Sequence, residues 1–262
     1  MYGIYYFSGT GNTKALADML NGHLDSRVYN IEKDFDLEEE LIFLYPVHGF
    51  GVPKIVLDFA RSLPESSKKV HIIRNGADHI RLNYYASFKL IEILEQKGYK
   101  VLYDRLVVMP ANFLVDYPDP LKAMLYHAAK KKISHAAKEI KEGMIRRFDS
   151  NTLLVSLFNK IHDMQSGPGS ESYYKYFKVA DYCINCKTCV NNCPMNNIDD
   201  QINFGQNCIM CLRCVYNCPV HAIYSKGMLK KGYSLKTIKY DQNYKPRGFY
   251  KHFIKYVNNI EK

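Results

Sequence analysis

All eight cysteines of this 262-residue chain fall in two short runs. The first, from Cys183 to Pro194, reads C-I-N-C-K-T-C-V-N-N-C-P; the second, from Cys208 to Pro219, reads C-I-M-C-L-R-C-V-Y-N-C-P. Each is C-x2-C-x2-C-x3-C-P. Three thiolates spaced by two residues can wrap three corners of an iron–sulfur cubane in one tight turn, and the fourth ligand must come from elsewhere. This is the bacterial-type spacing for 4Fe-4S clusters. Pro194 and Pro219 end the local turns and turn the chain away. Zinc favours C-x2-C pairs with a longer gap between them. Disulfides need an oxidising compartment, and the chain shows no secretory signal, so a cytoplasmic, reducing setting is expected.

The two runs are an internal repeat offset by 25 residues, extending to Ile184/Ile209, Val190/Val215, Asn192/Asn217 and Ile198/Ile223. Residues 180–225 closely resemble dicluster bacterial ferredoxins. The last cysteine of each run in such proteins ligates the other cluster. That resemblance implies two 4Fe-4S clusters, one on Cys183, Cys186, Cys189 and Cys218, the other on Cys208, Cys211, Cys214 and Cys193.

A second chemical signal lies near the start. Residues 2–7 (Y-G-I-Y-Y-F) read as a short buried strand. It runs into Ser8-Gly9-Thr10-Gly11-Asn12-Thr13, and a helix with Leu16, Ala17 and Leu20 on one face follows. A small, hydroxyl-rich loop opening a helix is a phosphate cradle, because free backbone N–H groups meet the positive helix terminus. The dinucleotide fingerprint fails, since Lys14 stands where its last glycine belongs, and no P-loop run exists. The loop resembles the flavodoxin phosphate loop [ST]-x-T-G-x-T, which Ser8, Thr10, Gly11 and Thr13 match at every fixed position.

The elements that must position this loop repeat a strand–helix alternation. Strands are expected at 27–31, 41–45, 69–74 and 100–109. Helices are expected at 54–61, 83–97 and from Asp119-Pro120 to about Met144, with Asp119 as N-cap. The pattern is α/β: a doubly wound parallel five-stranded sheet over 1–148, whose ligands bind beyond the carboxyl ends of the strands. The flavodoxin resemblance implies FMN there. It places Pro46, Val47, His48 and Gly49 in one ring-contacting loop, with Phe50 as another ring neighbour, and Asn75, Gly76 and Ala77 at the other ring edge. Gly76 would allow close approach there. Pro110-Ala111-Asn112-Phe113 flanks the same region. Lys130, Lys131 and Lys132 read as the solvent face of the long helix. The isolated histidines (His23, His71, His79, His127, His135, His162) read as surface or helix-face residues, and His221 as solvated.

Residues 149–179 read as a connection, with a short amphipathic helix over 153–161, a break at 167–170 and a tyrosine-rich strip at 173–177. The net charge is +10. The final stretch, 226–262, has ten Lys/Arg against Asp241 and Glu261. It reads as a solvated basic flank that attracts an acidic redox partner. No nucleic-acid motif accompanies the charge, and no run is long and apolar enough to span a membrane.

The whole resembles flavodoxin–ferredoxin fusion proteins found mainly in anaerobes. It implies an oxidoreductase-type electron carrier relaying electrons between FMN, two 4Fe-4S clusters and an external partner. An α+β dicluster ferredoxin-like unit would follow the sheet. The competing reading is an iron–sulfur carrier whose α/β domain binds no flavin and serves for docking. No nucleophile–base pair or carboxylate dyad marks a separate substrate site.

Overall fold

The computed structural model describes residues 1–113, 115–148, 160, 174–225 and 238–260. The helix expected over 153–161 and the break at 167–170 lie outside the described residues, as does Tyr173. Five strands form one parallel sheet: β1 (Tyr2–Tyr6), β2 (Ser26–Asn30), β3 (Glu40–Pro46), β4 (Lys69–Gly76) and β5 (Lys100–Val108). Their order is β2-β1-β3-β4-β5, the flavodoxin-like doubly wound order. The central strands are continuous apolar runs because both faces are covered. One face carries α2 (Lys54–Ser62) and α3 (Phe88–Gln96), with Phe43, Phe59, Ile72 and Leu94 in its core. The other carries α1 (Asn12–Asn21) and α4 (Asp119–Lys141), with Ile4, Leu16, Tyr103 and Ile133.

Four local expectations change. β4 extends through Asn75 and Gly76, which pair with Val107 and Val108. The helix expected over 83–97 is divided into a 3-10 turn, Arg81–Tyr85, and α3. The division falls at a buried ion pair: Arg74 donates to both oxygens of Asp104 at 2.8 Å, Ser87 Oγ donates to Asp104, and the Asn83 carbonyl accepts from Arg74. The α4 N-cap is Pro118 rather than Asp119, whose carboxylate instead takes Lys122 Nζ at 3.0 Å. α4 stops at Lys141, two residues before Gly143 at φ 67.

Polar residues read as solvated turn inward. His71 is buried on β4, with Nε2 2.9 Å from Glu40 Oε2; burial lowers its pKa, and the Glu40 carboxylate opposes that shift. Lys132 is 1% exposed. It lies over the Tyr256 ring at 4.1 Å and donates to the Asn259 carbonyl.

Part of the basic C-terminal stretch packs on the α/β domain, while its residues 226–237 lie outside the described residues. Residues His252–Asn258 form helix α7. Phe253 and Tyr256 enter a core with Val108, Leu121 and Leu125, and Tyr256 OH accepts from the Val108 amide at 2.7 Å. Just past the helix end, the Asn259 and Ile260 carbonyls accept from Lys132 and Arg105. Buried cations thus satisfy carbonyls at the negative end of the helix.

A second unit follows the sheet. Strands β6 (Phe177–Val179) and β7 (Ile223–Ser225) pair antiparallel, so it begins before residue 180. Between them lie two one-turn helices, α5 (Thr188–Asn191) and α6 (Arg213–Tyr216), offset by the same 25 residues as the cysteine runs. Among the described residues no helix is long and apolar enough to cross a membrane.

Burial drives the Lys132 pKa down to about 7, with Arg105 and Arg146 adding to the shift. The unfolded chain holds that proton up to a pKa of about 10.4. Folding therefore releases a proton between those values, and this residue's contribution to stability rises as pH climbs from about 7 toward 10. In Lys132→Met that component of the rise is expected to vanish. Urea unfolding of both proteins at about pH 7 and about pH 9 measures it, and identical slopes would mean that Lys132 stays protonated.

Candidate functional site

The cysteine repeat is carried by the backbone as well as the sequence. Asn185 and Met210, Lys187 and Leu212, and Asn196 and His221 all have positive φ, each pair 25 residues apart. Left-handed residues alternating with right-handed ones turn successive N–H groups to one side, the geometry of an anion nest. The fourth cysteine of each run accepts an amide in the same way: Asn197 N–H to Cys193 Sγ at 3.3 Å, Ala222 N–H to Cys218 Sγ at 3.2 Å.

The fold crosses the two runs. Cys193 lines one cavity together with Cys208, Cys211 and Cys214. Cys189 lies near Cys218 and Cys183. All eight cysteines are free thiols. A tetrahedral zinc with 2.3 Å bonds holds its sulfurs about 3.8 Å apart. Among the described residues no three cysteines lie within 4.8 Å of one another. An all-cysteine donor set spread this widely fits a cluster better than a single ion.

The two sets differ in surroundings. Burial pushes the Cys211 thiol up to about 12 and also raises Cys208 and Cys214. Cys186 is exposed, and a hydrogen bond with the Thr188 hydroxyl lowers its pKa. The second run faces the α/β unit, and the first reaches the surface beside exposed Tyr182 and Ile184.

Where the units meet, the second run sits on the phosphate-loop candidate. A Cβ on Gly9 would lie 2.0 Å from the Cys211 carbonyl oxygen, so only glycine permits this approach. Arg213 clamps the seam. Its guanidinium meets both Glu32 oxygens at 2.5 and 2.6 Å, donates to the Ser8 carbonyl at 2.8 Å, and lies 5.6 Å from the centre of the Phe7 ring. Tyr216 OH donates to the Asn112 carbonyl at 3.1 Å, and Asn112 Nδ2 donates to Thr10 Oγ1 at 2.5 Å. Sequence reasoning missed Arg213. Its signal was a departure from the repeat, since Thr188 occupies the matching place in the first run.

The expected ligand loops do converge at the carboxyl edge of the sheet. Thr13 Oγ1 donates to Asn75 Oδ1 at 2.6 Å, Asn12 Nδ2 to the Pro110 carbonyl at 3.0 Å, and the Val47 amide to the Asn75 carbonyl at 2.8 Å. Gly11 caps α1 at φ 99, with no side-chain cap and nothing within 4 Å of where a Cβ would stand. A loop that opens a helix in this way presents the positive helix terminus to a phosphate. The hydroxyls contribute less than expected: Ser8 Oγ accepts the Gly11 amide at 3.1 Å, while Thr10 and Thr13 brace neighbouring loops. Beyond Pro46, His48 and Gly51 bond reciprocally around Gly49 (φ 51) and Phe50 (φ 63). Positive φ on a bulky residue is strained, and it holds the Phe50 ring half-buried at the loop tip. On the other side Gly76 is packed: a Cβ there would meet Asn83 Nδ2 at 3.2 Å and Leu106 at 3.4 Å. Its missing side chain serves the domain interior, and only Ala77 is exposed.

Residues 175–219 match the family model of the 4Fe-4S dicluster domain. Among solved structures, the chain is similar to oxidised Flavodoxin 1 from Bacillus cereus at 19% identity, covering 54% of this chain and 97% of that one with a TM-score of 0.40. It is similar also to the Fusobacterium nucleatum flavodoxin bound to flavin mononucleotide, at 17% identity, 55% and 98% coverage, and a TM-score of 0.41. No curated protein gives a significant match. The dicluster segment and the strand order define an electron-transfer class of protein. The chain is a flavodoxin-like α/β domain fused to a 4Fe-4S ferredoxin domain.

Gly9→Ala is expected to force the two units apart at Cys211 and to destabilise the chain by about 1–3 kcal/mol, the usual cost of overpacking. Urea unfolding followed by circular dichroism and by cluster absorbance measures both effects. An unchanged midpoint would mean that the seam does not couple the units.

Proposed function

We propose that the chain carries electrons between an FMN at the carboxyl edge of the sheet and two 4Fe-4S clusters, and from there to an external protein. The contact of Gly9 with the Cys211 backbone carries this reading. It sets the second-run cysteines directly against the phosphate loop. One cluster would be held by Cys208, Cys211, Cys214 and Cys193, and the other by Cys183, Cys186, Cys189 and Cys218. When bound, FMN exchanges one or two electrons and each cluster exchanges one.

The chain's own residues supply position and electrostatics. The loop of Ser8, Gly9, Thr10, Gly11, Asn12 and Thr13 would hold the flavin phosphate at the start of α1. Pro46, Val47, His48, Gly49 and Phe50 would flank one side of the ring, and Asn75, Gly76 and Ala77 frame the opposite edge. The amides of Asn197 and Ala222 point at the sulfurs of Cys193 and Cys218 and orient them. Arg213 fixes the seam by its fork to Glu32. The partner would dock at the exposed Cys186 side, where Tyr182 and Ile184 offer apolar contact. The free thiols fit a reducing, cytoplasmic setting.

A second reading has its own observation. The hydroxyls of Ser8, Thr10 and Thr13 already have partners within the protein. On that reading the α/β domain docks the iron–sulfur unit and takes no flavin. Anaerobic purification with iron, sulfide and FMN measured on one sample separates the two. The relay requires about eight irons, two 4Fe-4S clusters' worth, and one FMN. Eight irons without FMN, even after excess is added, leave the docking reading.

Crossed ligation has its own test. Cys218→Ser should damage the cluster of the first run and spare that of the second, read as loss of one of two electron paramagnetic resonance signals in the reduced protein. Damage confined to the second-run cluster would overturn the crossing.

A further inference from the structure

Where the loop after β4 meets α7, three donor groups converge that neither the cysteine frame nor the phosphate loop uses. Asp78 and His79 follow β4, and His252 opens α7. His252 Nε2 lies 3.0 Å from Asp78 Oδ2 and 3.2 Å from Oδ1. His79 Nδ1 lies 3.4 Å from Asp78 Oδ1. One donor atom from each residue lies within 4.8 Å of the other two. The side chains are 17%, 24% and 32% exposed for Asp78, His79 and His252, so the site is sheltered yet reachable from solvent.

His252 Nδ1 is 2.7 Å from the Phe249 carbonyl oxygen. A carbonyl only accepts, so Nδ1 carries the hydrogen and, in the neutral ring, Nε2 turns its lone pair toward Asp78. A metal ion between the three residues would take a lone pair from each of them. From the one oxygen Asp78 Oδ1, the 3.2 Å to His252 Nε2 and 3.4 Å to His79 Nδ1 lie near the edge of a tetrahedron with 2.0–2.1 Å bonds, about 3.3 Å.

The surroundings hold the donors in place. A ring N–H donated to a backbone carbonyl is the usual support of a metal-bound histidine. The His79 ring stacks on Tyr256 at 5.1 Å and 23° and lies 5.8 Å from Phe253. The His79 amide donates to Asp78 Oδ1 at 2.6 Å, and Asn83 Nδ2 donates to the Asp78 carbonyl at 2.7 Å.

We propose that Asp78, His79 and His252 bind one divalent first-row transition-metal ion, with water completing its coordination. Two imidazoles and a carboxylate suit zinc or ferrous iron and disfavour magnesium or calcium. The ion acts as a clip, tying α7 to the loop at the carboxyl end of β4. The site stands whether or not the flavin reading holds.

The test uses the full chain with its clusters, kept anaerobic, and Zn²⁺ as the probe. Equilibrium dialysis should find one zinc per chain with iron content unchanged, and Zn²⁺ should raise the thermal midpoint. His79→Gln should weaken zinc binding at least tenfold. This variant keeps the Asp78–His252 pair but removes the His79 ring from Tyr256 and Phe253, so its circular dichroism and metal-free thermal midpoint are compared with those of the wild type, and loss of zinc by a folded variant reports the lost ligand. His79→Gln/His252→Gln should bind none at this site and lose the zinc-dependent midpoint shift. Absence of zinc binding by the wild type, or equal binding by the double variant, would overturn the proposal and leave only a hydrogen-bonded contact between His252 and Asp78.

Discussion

The contact between Gly9 and the Cys211 carbonyl is the constraint on which the arrangement of the two units depends. Backbone meets backbone there, with no side chain to yield. Glycine at position 9 serves the neighbouring unit more than its own loop. Around this point the polar groups are matched rather than merely close. Arg213 presents a planar fork to Glu32 and a further N–H to the Ser8 carbonyl. Lysine would supply the charge without the fork. With the guanidinium and Glu32 both largely sheltered, removing either would leave the other poorly compensated. The second cysteine set is thereby held in register with the sheet edge.

The two halves of the ferredoxin unit are copies in backbone and opposites in environment. The same left-handed positions and the same amide-to-sulfur bonds recur 25 residues apart. One half is buried against the sheet and the other opens to solvent at Cys186. Cluster potential responds to solvent exposure and to hydrogen bonds on sulfur. With the hydrogen bonds largely repeated, exposure is the main difference that the fold builds between the two sites.

What could be read from the sequence was what depends on neighbours along the chain. The cysteine frame is such a case, because three of a cubane's corners are reached by residues three apart along the chain. The five strands are another, since continuous runs such as Leu41–Tyr45 leave little choice of structure. The place of the Ser8–Thr13 loop at the carboxyl edge of the sheet followed, but the partners of its hydroxyls did not, because Asn75 and Asn112 reach it from distant strand ends. The same limit explains the misreadings. Lys132 sits between exposed Lys131 and buried Ile133, and only α7 decides which way it faces. The break before α3 comes from Arg74 and Asp104 on two strands. The C-terminal stretch hid Phe253 and Tyr256, three residues apart on one helix face, under its basic charge.

The docking of α7 also bears on the order in which this protein can be made. A ribosome delivers the α/β domain first, yet that domain's last piece of core, Phe253 and Tyr256 against Val108, Leu121 and Leu125, arrives only after both cysteine runs have emerged. The ferredoxin unit is thus enclosed between two parts of one hydrophobic core. During synthesis the nascent sheet carries an uncovered apolar strip until the chain returns to it. The cysteines leave the exit tunnel while that strip is still open, so iron–sulfur loading and final closure of the first domain share a single interval of the protein's biogenesis.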